Sequence, residues 1–130
     1  MNPINTENNA SYNFVAPSIE GDADKKVEMV FPTAEVVEPT VTSNAASAAV
    51  RREKTIVKLG TRSAAATLTL VPEPANLNIG AIVAVNWTSD GTARNITVKV
   101  GADTVATLAG TASTNVTKQL VWDGNSFLAV

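Results

Sequence analysis

The clearest pattern in the chain is a period-two alternation of apolar and polar residues that recurs in short runs between Gly80 and Val130. Ala81-Ile-Val-Ala-Val-Asn-Trp87 breaks at Ser89-Asp90-Gly91 and restarts as Asn95-Ile-Thr-Val-Lys-Val100. The chain closes on Leu120-Val-Trp-Asp-Gly-Asn-Ser-Phe-Leu-Ala-Val130, which reads as a final strand running to the terminus. Alternation of this kind marks half-buried strands, because successive side chains leave a strand on opposite faces. The same reading extends in both directions. Lys54 to Leu59 is a strand ended by Gly60, and Ala66-Thr-Leu-Thr-Leu-Val71 alternates until Pro72-Glu-Pro-Ala-Asn76 imposes an extended loop. Gly101-Ala-Asp103 leads into Thr104 to Leu108, Ala109 to Thr114 loops before Asn115 to Trp122, and Asp123-Gly124-Asn125 turns the chain into Ser126 to Val130.

Strand-turn-strand punctuation this regular predicts an all-β fold, a small antiparallel β-sandwich or jelly-roll-like module over residues 51–130. Val83, Val85 and Trp87 should share an inward face with Ile96, Val98 and Val100 across a hairpin, leaving Asn86, Thr97 and Lys99 outside. Leu68, Leu70, Leu108, Leu120, Trp122 and Phe127 complete the expected core. A β domain of about 75 residues hides only about 60% of its unfolded surface and is marginal without added support. Burial against other subunits is the natural support here, with Trp122, Leu128 and Val130 as a candidate subunit seam.

Residues 1–50 sustain neither a strand nor a helix period and are expected to form an extended or partly disordered arm and linker. Apolar clusters recur beside Pro17, Pro32 and Pro39: Tyr12, Phe14 and Val15; then Val27, Met29, Val30 and Phe31; then Val36 and Val37. Proline and its predecessor favour extended backbone, so these anchors suit a segment that orders against a partner surface. Thr42-Ser-Asn-Ala-Ala-Ser-Ala-Ala-Val50 reads as a short helix capped by Ser43 or Asn44, or as a linker.

Composition removes more functions than it suggests. The chain has no Cys and no His, which excludes disulfides, thiolate chemistry, the common zinc sites and imidazole catalysis. Neither a cofactor nor a metal is expected. Glu73, Asp90, Asp103 and Asp123 are the carboxylates of residues 63–130, and three of them sit in turns where Asp caps local amides, so no paired acid and base is foreseen. The spacing in Gly21-Asp22-Ala23-Asp24 is too sparse for a calcium loop.

Charge is uneven along the chain. The first fifty residues set Lys25 and Lys26 against seven carboxylates, and residues 51–62 then hold Arg51, Arg52, Lys54, Lys58 and Arg62 against Glu53. This basic stretch is a candidate electrostatic contact, or equally a charged edge strand that blocks aggregation. No aromatic residue interleaves there, so nucleic-acid recognition is not expected. The sequons at Asn9, Asn86, Asn95 and Asn115 are discounted, because Met1-Asn-Pro-Ile-Asn-Thr-Glu7 lacks the basic and apolar regions of a secretory signal. No apolar run approaches membrane-spanning length, so no membrane partner is expected.

An Asn- and Pro-bearing arm, an Ala/Ser connector and the runs Gly80-Ala-Ile-Val-Ala-Val85, Ile96-Thr-Val-Lys-Val100 and Leu120 to Val130 together resemble small accessory virion proteins of tailed bacteriophages, of the capsid decoration and head-fibre type. The resemblance implies a structural, non-enzymatic protein that decorates or stabilises the capsid or forms a head fibre, with the arm as its anchor. It also implies the major capsid protein or other virion proteins as partners, a homo-oligomer with a trimer favoured, and a place in the virion after assembly in the host cytoplasm. The alternative class is a carbohydrate- or surface-binding module of a fibre or adhesin, with Trp87 or Trp122 as a stacking platform.

Overall fold

The computed structural model describes residues 34–130. Nine strands account for most of this stretch: β1 (Glu35–Val37), β2 (Ala45–Val50), β3 (Lys54–Arg62), β4 (Ala66–Pro72), β5 (Ile82–Ser89), β6 (Ile96–Val100), β7 (Asp103–Leu108), β8 (Asn115–Trp122) and β9 (Phe127–Ala129). A single 3-10 turn, Pro74–Asn76, interrupts them. They form two sheets, one ordered β1-β3-β5-β8-β9 and the other β2-β4-β6-β7. The all-β expectation therefore holds, with the apolar rows of the two sheets meeting in one core.

The strand pairing differs from the antiparallel arrangement expected. Odd-numbered strands β1, β3 and β5 pair in parallel in one sheet, and even-numbered β2, β4 and β6 pair in parallel in the other. The chain thus switches sheets at every connection and winds three turns of a flattened coil. Only then do β7, β8 and β9 return antiparallel along β6, β5 and β8. Alternation in a sequence reports that one face of a strand is buried and is silent about the direction of its neighbour. Parallel neighbours need a crossover, and here the crossover is a strand of the opposite layer.

The link from β5 to β6 shows what holds one such crossing. Trp87 Nε1 donates to Arg94 O at 2.8 Å, Arg94 N donates to Ser89 Oγ at 3.0 Å, and the Arg94 guanidinium grips Asp90 at 2.8 and 3.1 Å. Gly110 packs against Arg94 O and Ser89 Oγ so closely that any Cβ there would collide with them. Held this way, the link turns into the second layer. The expected hairpin is therefore a packing across the core, in which Val83, Val85, Trp87, Ile96 and Val98 are buried and Val100 is half-buried.

Two strands precede the boundary expected at residue 51. The small-residue stretch from Thr42 is neither helix nor linker: Ser43 (φ 51°) and Asn44 (φ 61°) both take left-handed backbone in a tight turn bridged between Thr42 and Ala45. Two successive left-handed residues are what a type I′ reversal requires. The chain leaves this turn as β2, with Ala48 and Val50 buried. Leu68, Leu70, Leu108, Leu120, Trp122 and Phe127 lie in the core as expected. Each such large side chain contributes about 1.5–3 kcal/mol by leaving water, against about 1 kcal/mol for the hydrogen bond of Trp87, so packing dominates the fold.

Candidate interaction face

Alternate side chains of β1, β3, β5 and β8 leave the outside of the five-stranded sheet and line an open concavity of about 830 Å³. Strand pairing arranges them in rows. Val36, Ile56, Ala84 and Gln119 lie side by side; Lys58, Asn86 and Thr117 form the next row, and Thr61, Thr88 and Asn115 the one beyond. In the other direction Lys54, Ile82, Val121 and Leu128 make a further row. The face is therefore apolar at one end and rich in amides and hydroxyls at the other.

The polar end is internally satisfied. Asn86 Nδ2 donates to Asn115 Oδ1 at 3.0 Å and to Thr117 Oγ1 at 2.9 Å, while Asn115 Nδ2 donates to Thr88 Oγ1 at 2.8 Å. Such a ladder clips β5 to β8 and needs no further partner. The apolar end has no such closure: Val36 is 55% exposed, Leu128 54% and Val130 83%. With half-buried Ile56, Ile82 and Val121 they form a continuous apolar surface of the kind that marks association sites.

The residues singled out in the sequence distribute unevenly. Tyr12, Phe14, Val15, Val27, Met29, Val30 and Phe31 lie outside the described residues. Val36 faces outward on β1, whereas its neighbour Val37 packs inward against the core. Leu128 and Val130 are exposed as a seam requires, but Trp122 is only 3% exposed. Its ring lies 5.0 Å from that of Phe127, tilted by 54°, so its burial comes from its own chain and it is no part of a seam. Trp87 is likewise fully buried, which leaves neither tryptophan as a stacking platform for sugar.

Nor do the basic residues form one patch. Arg51 bonds Glu35 of β1 at 3.0 Å and Arg52 reaches the same carboxylate at 3.6 Å, tying the first turn of the coil to the corner before β3. Lys54 and Lys58 border the concavity, and Arg62 Nε donates to the Thr61 carbonyl. β3 is also not a full edge strand, since β1 covers Thr55 to Val57 and β5 covers its other side.

Most acidic groups among the described residues are occupied structurally. The hydrogen bond from Arg51, aided by charge from Arg51 and Arg52 and opposed by burial, holds the Glu35 carboxyl below its ordinary range. Asp90 is lowered first by Arg94 and then by the Thr92 amide, and Asp123 by the amides of Ser126 and Asn125. Glu73 accepts from the Asn76 side chain at 3.1 Å. Among the described residues, no cluster of three or more His, Cys, Asp or Glu side chains could hold a metal ion. No helix among them is long and apolar enough to cross a membrane.

Ile56, Ile82 and Val121 escaped the sequence reading, although a signal was present. Each sits in an unbroken apolar run, within Ile56-Val57, Ile82-Val-Ala-Val85 or Leu120-Val-Trp122, where alternation fails because both faces of the strand are apolar. Comparison with protein-family models, with curated proteins and with solved structures finds no match to this chain.

Proposed function

We propose that this chain is a non-enzymatic structural protein that acts by attachment, as an accessory component of a phage particle that decorates or stabilises the capsid or builds a head fibre. The observation that supports this reading is the apolar end of the outer face: Val36, Ile56, Ile82, Val121 and Leu128 stand in adjoining rows on a module whose acidic side chains are largely committed to turns and ion pairs. A surface of this kind is suited to burial against the shell or a sister copy. The N-terminal arm supplies further anchors for the same attachment, with the major capsid protein or another virion protein as its partner. Copies self-associate, three per assembly being the number the virion resemblance favours.

The test is fractionation of a lysate in which the protein and its particles are made together. Antibody to the chain should detect it in the particle band of a density gradient, and the Val36→Asp, Leu128→Asp double variant should shift to the free fractions while remaining folded. Wild-type protein found only in the free fractions would contradict the reading.

A further inference from the structure

Sheet edges are the second kind of surface this fold leaves open, and they are guarded unequally. β1 and β9 are only three residues long. β7 is interrupted by a bulge, with Val98 paired to Ala106 and Lys99 to Thr104, so that Val105 is unpaired. The part of β3 beyond β1 is also bulged between Lys58 and Thr61, at left-handed Gly60, and carries Lys58 and Arg62. Short length, bulges and charge are the usual means by which an edge avoids pairing with another chain.

β2 has none of these. Its six residues, Ala45–Val50, run in unbroken register along Thr67 to Pro72 without a charge, a proline or a bulge. Asn44 O and Val50 O accept bonds from the β4 side, which places the even-numbered residues of β2 on that ladder. The odd-numbered ones face away. Ala45 is closed off by its exchange with Thr42 at 2.9 and 3.0 Å, so Ser47 and Ala49 present two N–H and two C=O groups with no partner among the described residues. Beside this edge Val37, Val41 and Ala46 of the first turn are only half-buried, although Ala48 and Val50 of the same turn are buried; Val57, Leu59, Leu68 and Leu70 of the second turn are all buried.

We infer that β2 pairs antiparallel with β2 of a second copy about a two-fold axis at Ala48, joining the two four-stranded sheets into one of eight strands. This register alone uses all four free groups, as Ser47 exchanges both bonds with Ala49 of the second copy and Ala49 with its Ser47. Charge favours it as well. Antiparallel pairing holds the Arg51-Arg52 corners of the two copies at opposite ends of the paired segment, about 20 Å apart at the usual rise per residue, whereas parallel pairing would bring all four together. The partner's Arg corner then falls beside the neutral Thr42–Ala45 turn. Each copy offers one such edge, so the contact closes as a pair, separate from the apolar outer face on which the three-fold association of the virion reading rests. The inference does not depend on the virion reading.

Two variants of the full chain test it, read by sedimentation velocity from roughly 1 μM to 1 mM and by non-reducing electrophoresis. Wild-type protein should form dimers reversibly as concentration rises. Ser47→Lys, a change at an exposed position, should weaken that step by roughly tenfold or more with an unchanged circular dichroism spectrum. Ala48→Cys places one thiol opposite its symmetry mate in a chain that has no cysteine, and mild oxidation should link it as a covalent dimer. A monomer at every concentration overturns the pairing, including one whose β2 edge is filled by another segment of the same chain. So does an oligomer that tolerates Ser47→Lys and leaves Ala48→Cys reduced.

Discussion

The two sides of the sandwich are finished in different ways. On one side β7, β8 and β9 fold back antiparallel, and Trp122 and Phe127 fill the layer between the sheets. On the other, β1 and β2 simply begin the coil, held by the Glu35 pairs to Arg51 and Arg52, and Val37, Val41 and Ala46 remain partly open although Ala48 and Val50 are buried. The contrast separates what stabilises the module from what leaves it able to associate. Large apolar groups complete the returning side by themselves, while the starting side offers free backbone and half-covered valines to another surface.

Truncation should expose this difference most strongly. Trp122→Ala is expected to cost about 3–5 kcal/mol in urea unfolding, since it removes a large buried side chain and strands Phe127 beside a cavity. Val37→Ala on the starting side should cost about 1 kcal/mol or less, because part of that side chain is already in water. Equal losses at the two positions would erase the comparison.

A smaller effect of opposite sign is expected at Thr55, which is fully buried between Glu35 and Val83 and whose Oγ1 has no hydrogen-bond partner among the described residues. Thr55→Val keeps the branched shape and removes the orphan hydroxyl, so it should stabilise the protein by about 1 kcal/mol. Destabilisation in the same assay would mean that the hydroxyl has a partner in solution.

The smallest expected effects are electrostatic. Glu35 and Asp90 both titrate below their ordinary values in the folded chain, so their contribution is present above the unfolded carboxylate range and is lost as pH falls through the lowered values. Thermal midpoints should accordingly drop on acidification, and Asp90→Asn should flatten that dependence at the β5–β6 crossing. Both groups are solvent-accessible, so high salt should blunt the effect. An unchanged acid profile in Asp90→Asn would assign the slope to other groups.

Much of the module from β4 onward was legible in the sequence, and much of the starting side was not. The runs around Leu68, Val85, Val98 and Leu120 alternate strongly enough to locate strands and inward faces, and Asp123-Gly124 marks its turn. β2 escaped because Ala and Ser carry little hydrophobic contrast, so Ala45 to Val50 shows no period although its even positions turn inward. Parallel pairing escaped because connection length alone does not say whether a turn returns along the same sheet or crosses to the other. Omitting β1 and β2 made the core look undersized and pushed Trp122 onto a seam that its own Phe127 makes unnecessary. The outward apolar rows were half-visible, as unbroken apolar runs rather than as a motif.

Residue-resolved amide exchange at two protein concentrations tests most directly whether the starting side is the one left open for association. The amides of Ser47 and Ala49 should exchange rapidly in dilute solution and gain protection as concentration rises, while those of Val83 and Val85, within the parallel and antiparallel ladders of β5, stay protected throughout. Protection of Ser47 and Ala49 already complete at dilution, or absent at every concentration, would contradict the account.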